Sequence, residues 1–156
     1  KLRSLTNYIQ QLEMESLGKQ ANPKSFFQET GQSIFGGFGS TAQHSYFQLL
    51  HQGTAEFCTD IVYSASTNST LSSAPARGQA SLLSSDFKGS NNLLEKTNSN
   101  SPVNLLNLKK LSLEGLGFLL ATWEHRVFIT ACMLQINSFD QYGVAAGKVI
   151  SKKFLT

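Results

Sequence analysis

Cysteine is scarce in this 156-residue chain, which contains only Cys58 and Cys132. No CxxC pair, no His/Cys cluster and no HExxH sequence occurs, so the residue patterns of common zinc and redox sites are missing. We therefore expect no metal ion and no cofactor. Both cysteines stand in apolar surroundings and are predicted to be buried free thiols, which are typical of a reducing compartment such as the cytoplasm.

Charge is also sparse, since Asp, Glu, Lys and Arg make up 15% of the residues and the net charge is +3. The densest basic positions are the pairs 109–110 and 152–153, which are too small for the basic surface that nucleic-acid binding requires. The longest apolar-leaning stretch, 111–136, is interrupted by charged residues and cannot span a bilayer. The composition therefore predicts a partner that is neither a nucleic acid nor a membrane.

What the chain does have is 40% apolar residues, enough for the core of one domain over residues 1–156. Apolar spacing and capping residues predict helices over 8–19, 42–52, 78–96, 113–135 and 141–153. Strands are predicted over 32–35 and 57–63. Because the strands are separated by helices, we expect an α/β fold, with a largely parallel sheet flanked by helices that include a long core helix and a C-terminal helix.

The segment 64–104 has an unusual composition, since 17 of its 41 residues are Ser or Asn. Such a composition is typical of a disordered linker. The leucine pairs 82–83 and 93–94, however, are eleven positions apart, which is consistent with one amphipathic helix on a polar background. Both interpretations are open, and a helix near 78–96 is the one we expect.

Three segments carry a more specific pattern: QQLEMESLGK at 10–19, GSTAQHSYFQLLHQGT at 39–54 and INSFDQYGVAAGK at 136–148. In order and approximate spacing they resemble the phosphoglucose isomerase family. Chains of that family carry the runs Q-x-x-M-E-S-x-G-K, Q-H-x-x-x-Q-L-x-H-Q-G-T and N-S-F-D-Q-x-G-V-x-x-G-K. The run 123–125, Trp-Glu-His, also resembles the aromatic-Glu-His of the family's long helix.

The resemblance implies a sugar-isomerase (SIS)-type domain that is the C-terminal part of a longer isomerase of glucose 6-phosphate and fructose 6-phosphate. Glu15 matches the family's catalytic base, and His44 and Lys148 match its ring-opening groups. Gln11 matches a substrate-contacting amide, and Gln141 matches a residue near the phosphate. Since family members are dimers whose histidine reaches the neighbouring subunit's pocket, the resemblance also implies a homodimer with His44 acting in trans.

The residue types suit this chemistry. A single carboxylate can take a proton from the carbon next to a carbonyl and return it on the same face, and burial raises its basicity. Opening a pyranose requires removal of a proton from O1 and delivery of another to the ring oxygen. A histidine and a nearby cation fit that task.

The sequence departs from the family pattern before His44 and near Lys148, without losing a catalytic group. Residues 35–41 replace the family's usual Trp-Gly-Glu-Pro-Gly-Thr-Asn, and Ala145 replaces a usual Glu. The glycine-rich segment and the phosphate-binding loop that the resemblance places upstream are not in this sequence, so the chain alone is expected to be inactive. The alternative is a non-catalytic phosphosugar-binding or dimerisation module of the same fold.

His51 and His125 are assigned structural roles, and Glu13 is assigned to surface charge.

Overall fold

The computed structural model describes residues 2–65, 70–85 and 92–155 of the chain. The elements in chain order are α1 (Leu5–Leu17), α2 (Gly39–Gln43), α3 (Phe47–Gln52), β1 (Thr59–Ser64), α4 (Thr70–Ser84), a 3-10 helix (Leu93–Glu95), β2 (Val103–Leu108), α5 (Leu113–Leu134) and α6 (Tyr142–Lys152). They form two compact units. The first unit consists of Lys1–Gly37 and Phe118–Thr156, and the second unit of Phe38–Gly117.

The core of the first unit lies between α1 and α5. The buried side chains of each helix are spaced by four or eight positions and therefore share one face. They are Leu5, Glu13 and Leu17 in α1, and Leu119, Trp123, Val127 and Ala131 in α5. Leu17 packs with Val127 and Ala131, and Leu12 and Ile136 pack around this cluster.

The long helix predicted over 113–135 is confirmed as α5, and its end has a clear cause. Gln135 adopts a left-handed backbone conformation with a φ of 57°. The main-chain amide of Ile136 donates to the carbonyl of Ala131 at 3.0 Å, and the amide of Gln135 donates to the carbonyl of Cys132 at 3.1 Å. These two bonds form a Schellman C-cap, which satisfies carbonyls that have no partner inside the helix. The helix predicted over 141–153 is likewise confirmed as α6.

The strand predicted over 32–35 is wrong, because residues 27–38 form no regular secondary structure. Side chains attach this segment to α1 instead. Gln32 Nε2 donates to Glu13 Oε2 at 2.8 Å, and the Thr30 hydroxyl donates to the Lys19 carbonyl. Gly31 has a φ of 69°, and a Cβ there would lie 3.0 Å from the Cα of Gly18, so glycine suits this turn. The residue types at 32–35 suggested a strand, but they did not indicate whether a neighbouring strand would pair with this segment.

The second unit contains a parallel pair of strands joined through a helix. β1 pairs with β2 in register from Thr59 opposite Val103 to Ser64 opposite Leu108, and α4 packs against both strands. This strand–helix–strand arrangement confirms the expected α/β fold with a parallel sheet. β1 overlaps the predicted strand 57–63. β2 was not predicted, because VNLLNL has one β-branched residue and lies at the end of the Ser/Asn-rich segment.

The helix predicted over 42–52 is divided into α2 and α3. The amides of His44 and Ser45 donate to carbonyls three residues earlier, at 3.1 and 3.0 Å. This is the tighter spacing of a 3-10 turn, which interrupts the α-helical pattern. The division places His44 at the C-terminal end of α2.

The helix predicted over 78–96 lies too far along the chain, since α4 ends at Ser84. The two leucine pairs do not share one helical face: Leu83 is 2% exposed, whereas Leu93 and Leu94 are 84% and 86% exposed. Residues 66–69 and 86–91 of the Ser/Asn-rich segment lie outside the described residues. The described part consists largely of helix, 3-10 helix and strand, so a featureless linker is the wrong interpretation there.

Cys58 and Cys132 are both free and both exposed, so the predicted burial is wrong. Cys132 follows the buried Ala131, and one helical step turns its side chain away from the core. Apolar neighbours in sequence therefore did not decide which face a cysteine occupies.

Across residues 2–65, 70–85 and 92–155, no helix combines the length and apolarity that a membrane span requires. In the same ranges, no three His, Cys, Asp or Glu side chains are grouped so as to hold a metal ion.

Candidate functional site

Gln11 and Glu15 lie one turn apart on the exposed side of α1. Gln11 Nε2 donates to Glu15 Oε1 at 3.5 Å, a long contact that leaves the carboxylate open to another partner. Glu15 follows the buried Glu13 by two positions, which is a rotation of about 200° around a helix. The helix therefore uses opposite sides for the core and for this pair.

The Lys19 ammonium connects the end of α1 to the loop before α6. Lys19 Nζ donates to the main-chain carbonyl of Glu15 at 2.5 Å and to the main-chain carbonyl of Asp140. It also lies 3.6 Å from the Asp140 carboxylate oxygen Oδ1. Because Asp140 immediately precedes Gln141, the main chain at Glu15 is linked to the main chain beside Gln141.

Gln141 and Lys148 belong to the C-terminal helical segment. Gln141 is the residue before α6, and Lys148 lies within the helix seven positions later. Positions seven apart are two turns apart on one side of a helix. Both side chains are exposed, as is every residue of α6. Both belong to the first unit, together with Gln11 and Glu15.

His44 belongs to the second unit, where it is exposed at the end of α2. Two other polar residues of its motif, His51 and Gln52, make hydrogen bonds inside that unit. His51 Nε2 lies 2.6 Å from Gln79 Oε1, as expected of a structural histidine. Gln52 Nε2 donates to the carbonyls of Leu94 and Lys96 at 2.9 and 3.0 Å. The motif thus combines internal hydrogen bonds with one exposed imidazole.

The first two residues of the run 123–125 connect α5 to its surroundings. Trp123 is buried in the core, and Glu124 Oε1 accepts a hydrogen bond from the Tyr8 hydroxyl at 2.8 Å. This bond, together with burial and the negative charge of Glu124, raises the pKa of the Tyr8 phenol above its usual 10.0. His125 Nδ1 lies 2.6 Å from the Ala121 carbonyl one turn earlier, which agrees with its structural assignment.

Glu13 is not the surface charge that the sequence interpretation assigned, since it is 2% exposed. Gln32 donates to its Oε2, and Arg126 Nη2 lies 3.5 Å from its Oε1. The signal was present in the sequence: Glu13 is four positions before Leu17 and eight after Leu5, so it lies on the buried stripe. A carboxylate on that stripe needs a cation and hydrogen bonds to tolerate burial.

Arg126→Met is therefore expected to lower the free energy of unfolding by about 2 to 3 kcal/mol, because it leaves a buried carboxylate without its cation. This is less than the roughly 3 to 5 kcal/mol typical of a fully buried pair, because the Arg126 side chain is 40% exposed. Urea denaturation of the wild type and the variant measures the difference. Lys24→Met, at an exposed position of the same unit, is the matched control and should change the stability by no more than about 0.5 kcal/mol. Equal stability of Arg126→Met and wild type would contradict the role of the ion pair.

Comparison with known proteins adds independent information. The family model described as phosphoglucose isomerase matches residues 1–98 and 91–156. The glucose-6-phosphate isomerase of Idiomarina loihiensis is 37% identical over 172 residues, which cover 99% of this chain and 35% of that protein. The glucose-6-phosphate isomerase of Shewanella oneidensis is 36% identical over 181 residues, covering 99% of this chain and 33% of that protein.

Two solved structures share the fold. A crystal structure of a glucose-6-phosphate isomerase from Chlamydia trachomatis matches 99% of this chain and 32% of its own, with a TM-score of 0.83 and 32% identity. A hypothetical protein from Thermus thermophilus matches 99% of this chain and 39% of its own, with a TM-score of 0.78 and 23% identity. This chain thus spans about a third of the length of the relatives that it matches.

Proposed function

We propose that this chain contributes catalytic residues to an enzyme that interconverts glucose 6-phosphate and fructose 6-phosphate. The chain belongs to the phosphoglucose isomerase family, and the proposal follows from that membership. The observation that carries the proposal is the placement of Gln11 and Glu15. An exposed carboxylate and an amide stand side by side on α1, on the side opposite the core. Together they can offer a base and a hydroxyl-binding group to one small polar substrate.

Glu15 is the proposed base of the isomerisation. In the open-chain aldose it removes the proton from C2, the C–H electron pair forms the C1–C2 double bond of a cis-enediol, and the former carbonyl electron pair moves to O1, which takes up a proton. The same carboxyl group then returns its proton to C1 while the O2 hydroxyl loses its proton and forms the new carbonyl at C2. A single group can perform both transfers when the two carbons present the same face. Glu15 is exposed, so the burial that was expected of the base is not seen in this chain, but the exposure leaves the carboxylate accessible to a ligand.

His44 and Lys148 are the proposed ring-opening groups. Cleavage of the cyclic sugar requires that the O1 hydroxyl lose a proton while the ring oxygen gains one. An imidazole can exchange a proton near neutral pH, and a lysine ammonium can stabilise developing negative charge. Both side chains are exposed. Gln11 and Gln141 are the proposed substrate-binding amides, and the position of Gln141 at the start of α6 suits a nearby phosphate, because a helix N-terminus favours anions.

We further propose that the chain works as the C-terminal SIS-type part of a longer enzyme, called the full-length protein below. The coverage of only about a third of each relative supports this. The full-length protein is proposed to be a cytoplasmic homodimer in which His44 enters the pocket of the neighbouring subunit. The remaining two thirds would supply most of the phosphate-binding groups, and phosphate binding provides much of the energy that holds a small sugar in a reactive pose.

The chain alone is accordingly expected to bind fructose 6-phosphate weakly and to show no measurable turnover. It should also self-associate, because large apolar side chains of α6 and its flanks are exposed. Examples are Phe139, which is 78% exposed, and Leu155, which is 83% exposed. Calorimetry with the phosphosugar, a coupled isomerase assay and sedimentation analysis test these three expectations, with the full-length protein as the control. Robust turnover by the chain alone would contradict the proposed division of labour.

A further inference from the structure

Lys19 and Asp140 lie in the first and third motifs, yet the proposed reaction gives neither of them a task. The Lys19 side chain is 12% exposed and the Asp140 side chain 22%. A lysine is seldom so far removed from water, because its ammonium must find replacements for the hydrogen bonds that solvent supplies. The arrangement of these replacements indicates what Lys19 does.

The partners of the Lys19 ammonium come from two parts of the first unit. One is the Glu15 carbonyl, at 2.5 Å, and the other two are the carbonyl and the carboxylate of Asp140. The two carbonyls use two of the three N–H donors of the ammonium, and the Asp140 carboxylate lies within ion-pair distance at 3.6 Å. The Glu15 carbonyl is among the last four of α1, which lack partners inside the helix and attract a cation. The principal contacts are therefore to main-chain oxygens of two separate segments.

The backbone of Lys19 is itself held in place. Its amide donates to the Leu17 carbonyl at 2.8 Å, and its carbonyl accepts from the Thr30 hydroxyl. The side chain thus starts from a fixed point and ends between two carbonyls. A shift of Glu15 relative to Asp140 would lengthen at least one of these hydrogen bonds.

We propose that Lys19 is a positioning residue that holds Glu15 in the correct place relative to the segment that begins with Gln141 and carries Lys148. This inference rests on the proposed isomerase function, because it assigns Lys19 the task of aligning a base with substrate-binding and ring-opening groups. It is specific to two motif residues that make no contribution of their own to proton transfer. Misplacement of a reacting group by about 1 Å can lower a rate by about 100-fold.

Lys19→Met in the full-length protein is expected to lower kcat by about 10- to 100-fold with little change in KM, since the substrate-binding groups remain. Asp140→Asn keeps the main-chain oxygen and removes only the ionised partner, so its loss of kcat should be smaller. Lys24→Met, at an exposed lysine of the same unit, is the matched control and should leave kcat unchanged. An unchanged kcat in Lys19→Met, in an active full-length protein, would overturn the proposal.

A purely structural role for Lys19 predicts that kcat follows the stability of the fold. The positioning role predicts instead that Arg126→Met lowers stability more than Lys19→Met does, yet lowers the kcat of the folded protein less. If kcat instead follows stability across both variants, Lys19 acts only through the general stability of the fold and the positioning role is wrong.

Hydrogen exchange tests the link without any catalytic measurement. In Lys19→Met, amides at 15–19 and at 138–145 should both exchange faster than in the wild type, because both segments lose the same anchor. Unchanged exchange in either segment would overturn the positioning role, whatever the activity. An inactive wild-type full-length protein would refute the proposed function, while the exchange data would still decide whether Lys19 holds the two segments together.

Discussion

Glu15→Gln in the full-length protein is expected to lower kcat by about 1,000-fold or more, which is within the contribution of a general base to catalysis. The amide is nearly isosteric with the carboxylate and can still form hydrogen bonds, but it cannot accept the proton from C1 of fructose 6-phosphate or from C2 of glucose 6-phosphate. KM should change little, because Gln11 and the other binding groups remain. Steady-state kinetics with fructose 6-phosphate measure both constants.

Glu29→Gln is the matched control for this substitution. Glu29 is an exposed glutamate of the same unit, and it lies outside the three motifs. Its variant should keep the wild-type kcat and KM. If Glu15→Gln retained more than about a tenth of the wild-type kcat, the loss would be too small for a base that moves the proton in both steps, and Glu15 would not be that base.

His44→Ala is expected to lower kcat for the cyclic sugar by about 100-fold or more, since general acid–base catalysis by a histidine contributes at least that much. The loss should be smaller with a substrate that is already in the open-chain form, because the proposed task of His44 ends once the ring has opened. His125→Ala is the matched control. The His125 ring bonds to a carbonyl of its own helix, so its loss should affect the two substrates equally.

Mixed dimers test the proposal that His44 acts in the neighbouring subunit. When His44→Ala and Glu15→Gln subunits are mixed and allowed to exchange, one of the two pockets in a heterodimer should contain both an intact His44 and an intact Glu15. Activity should therefore recover above that of either variant alone. No recovery after verified exchange would show that His44 works within its own subunit.

The sequence predicted the elements whose pattern is local. α5 and α6 have helical apolar spacing and clear end signals, and both were placed within two residues. β1 was found for the same reason, through its β-branched and aromatic residues. β2 was missed because its strand character comes from pairing with β1, including the bond from Asn104 Nδ2 to Asp60 Oδ1 at 2.7 Å.

The motifs named the candidate site residues, whose roles stay predictions, whereas tertiary contacts decide the environment of each residue. The exposure of Gln11 and Glu15 agrees with a site on the open side of α1. The burial of Glu13 followed from helical spacing and could have been predicted. The Lys19 bridge could not, because its partner Asp140 is 121 positions away in the chain. Sequence patterns identify such residues only as members of motifs.

The most direct test of the proposed function is the rate at which the full-length protein forms glucose 6-phosphate from fructose 6-phosphate, followed in a coupled assay. The expected result is steady turnover that is lost in Glu15→Gln, while calorimetry shows that this variant still binds the phosphosugar. Binding of the phosphosugar by the wild-type protein without turnover would contradict the proposed function and would identify the protein as a non-catalytic phosphosugar-binding module.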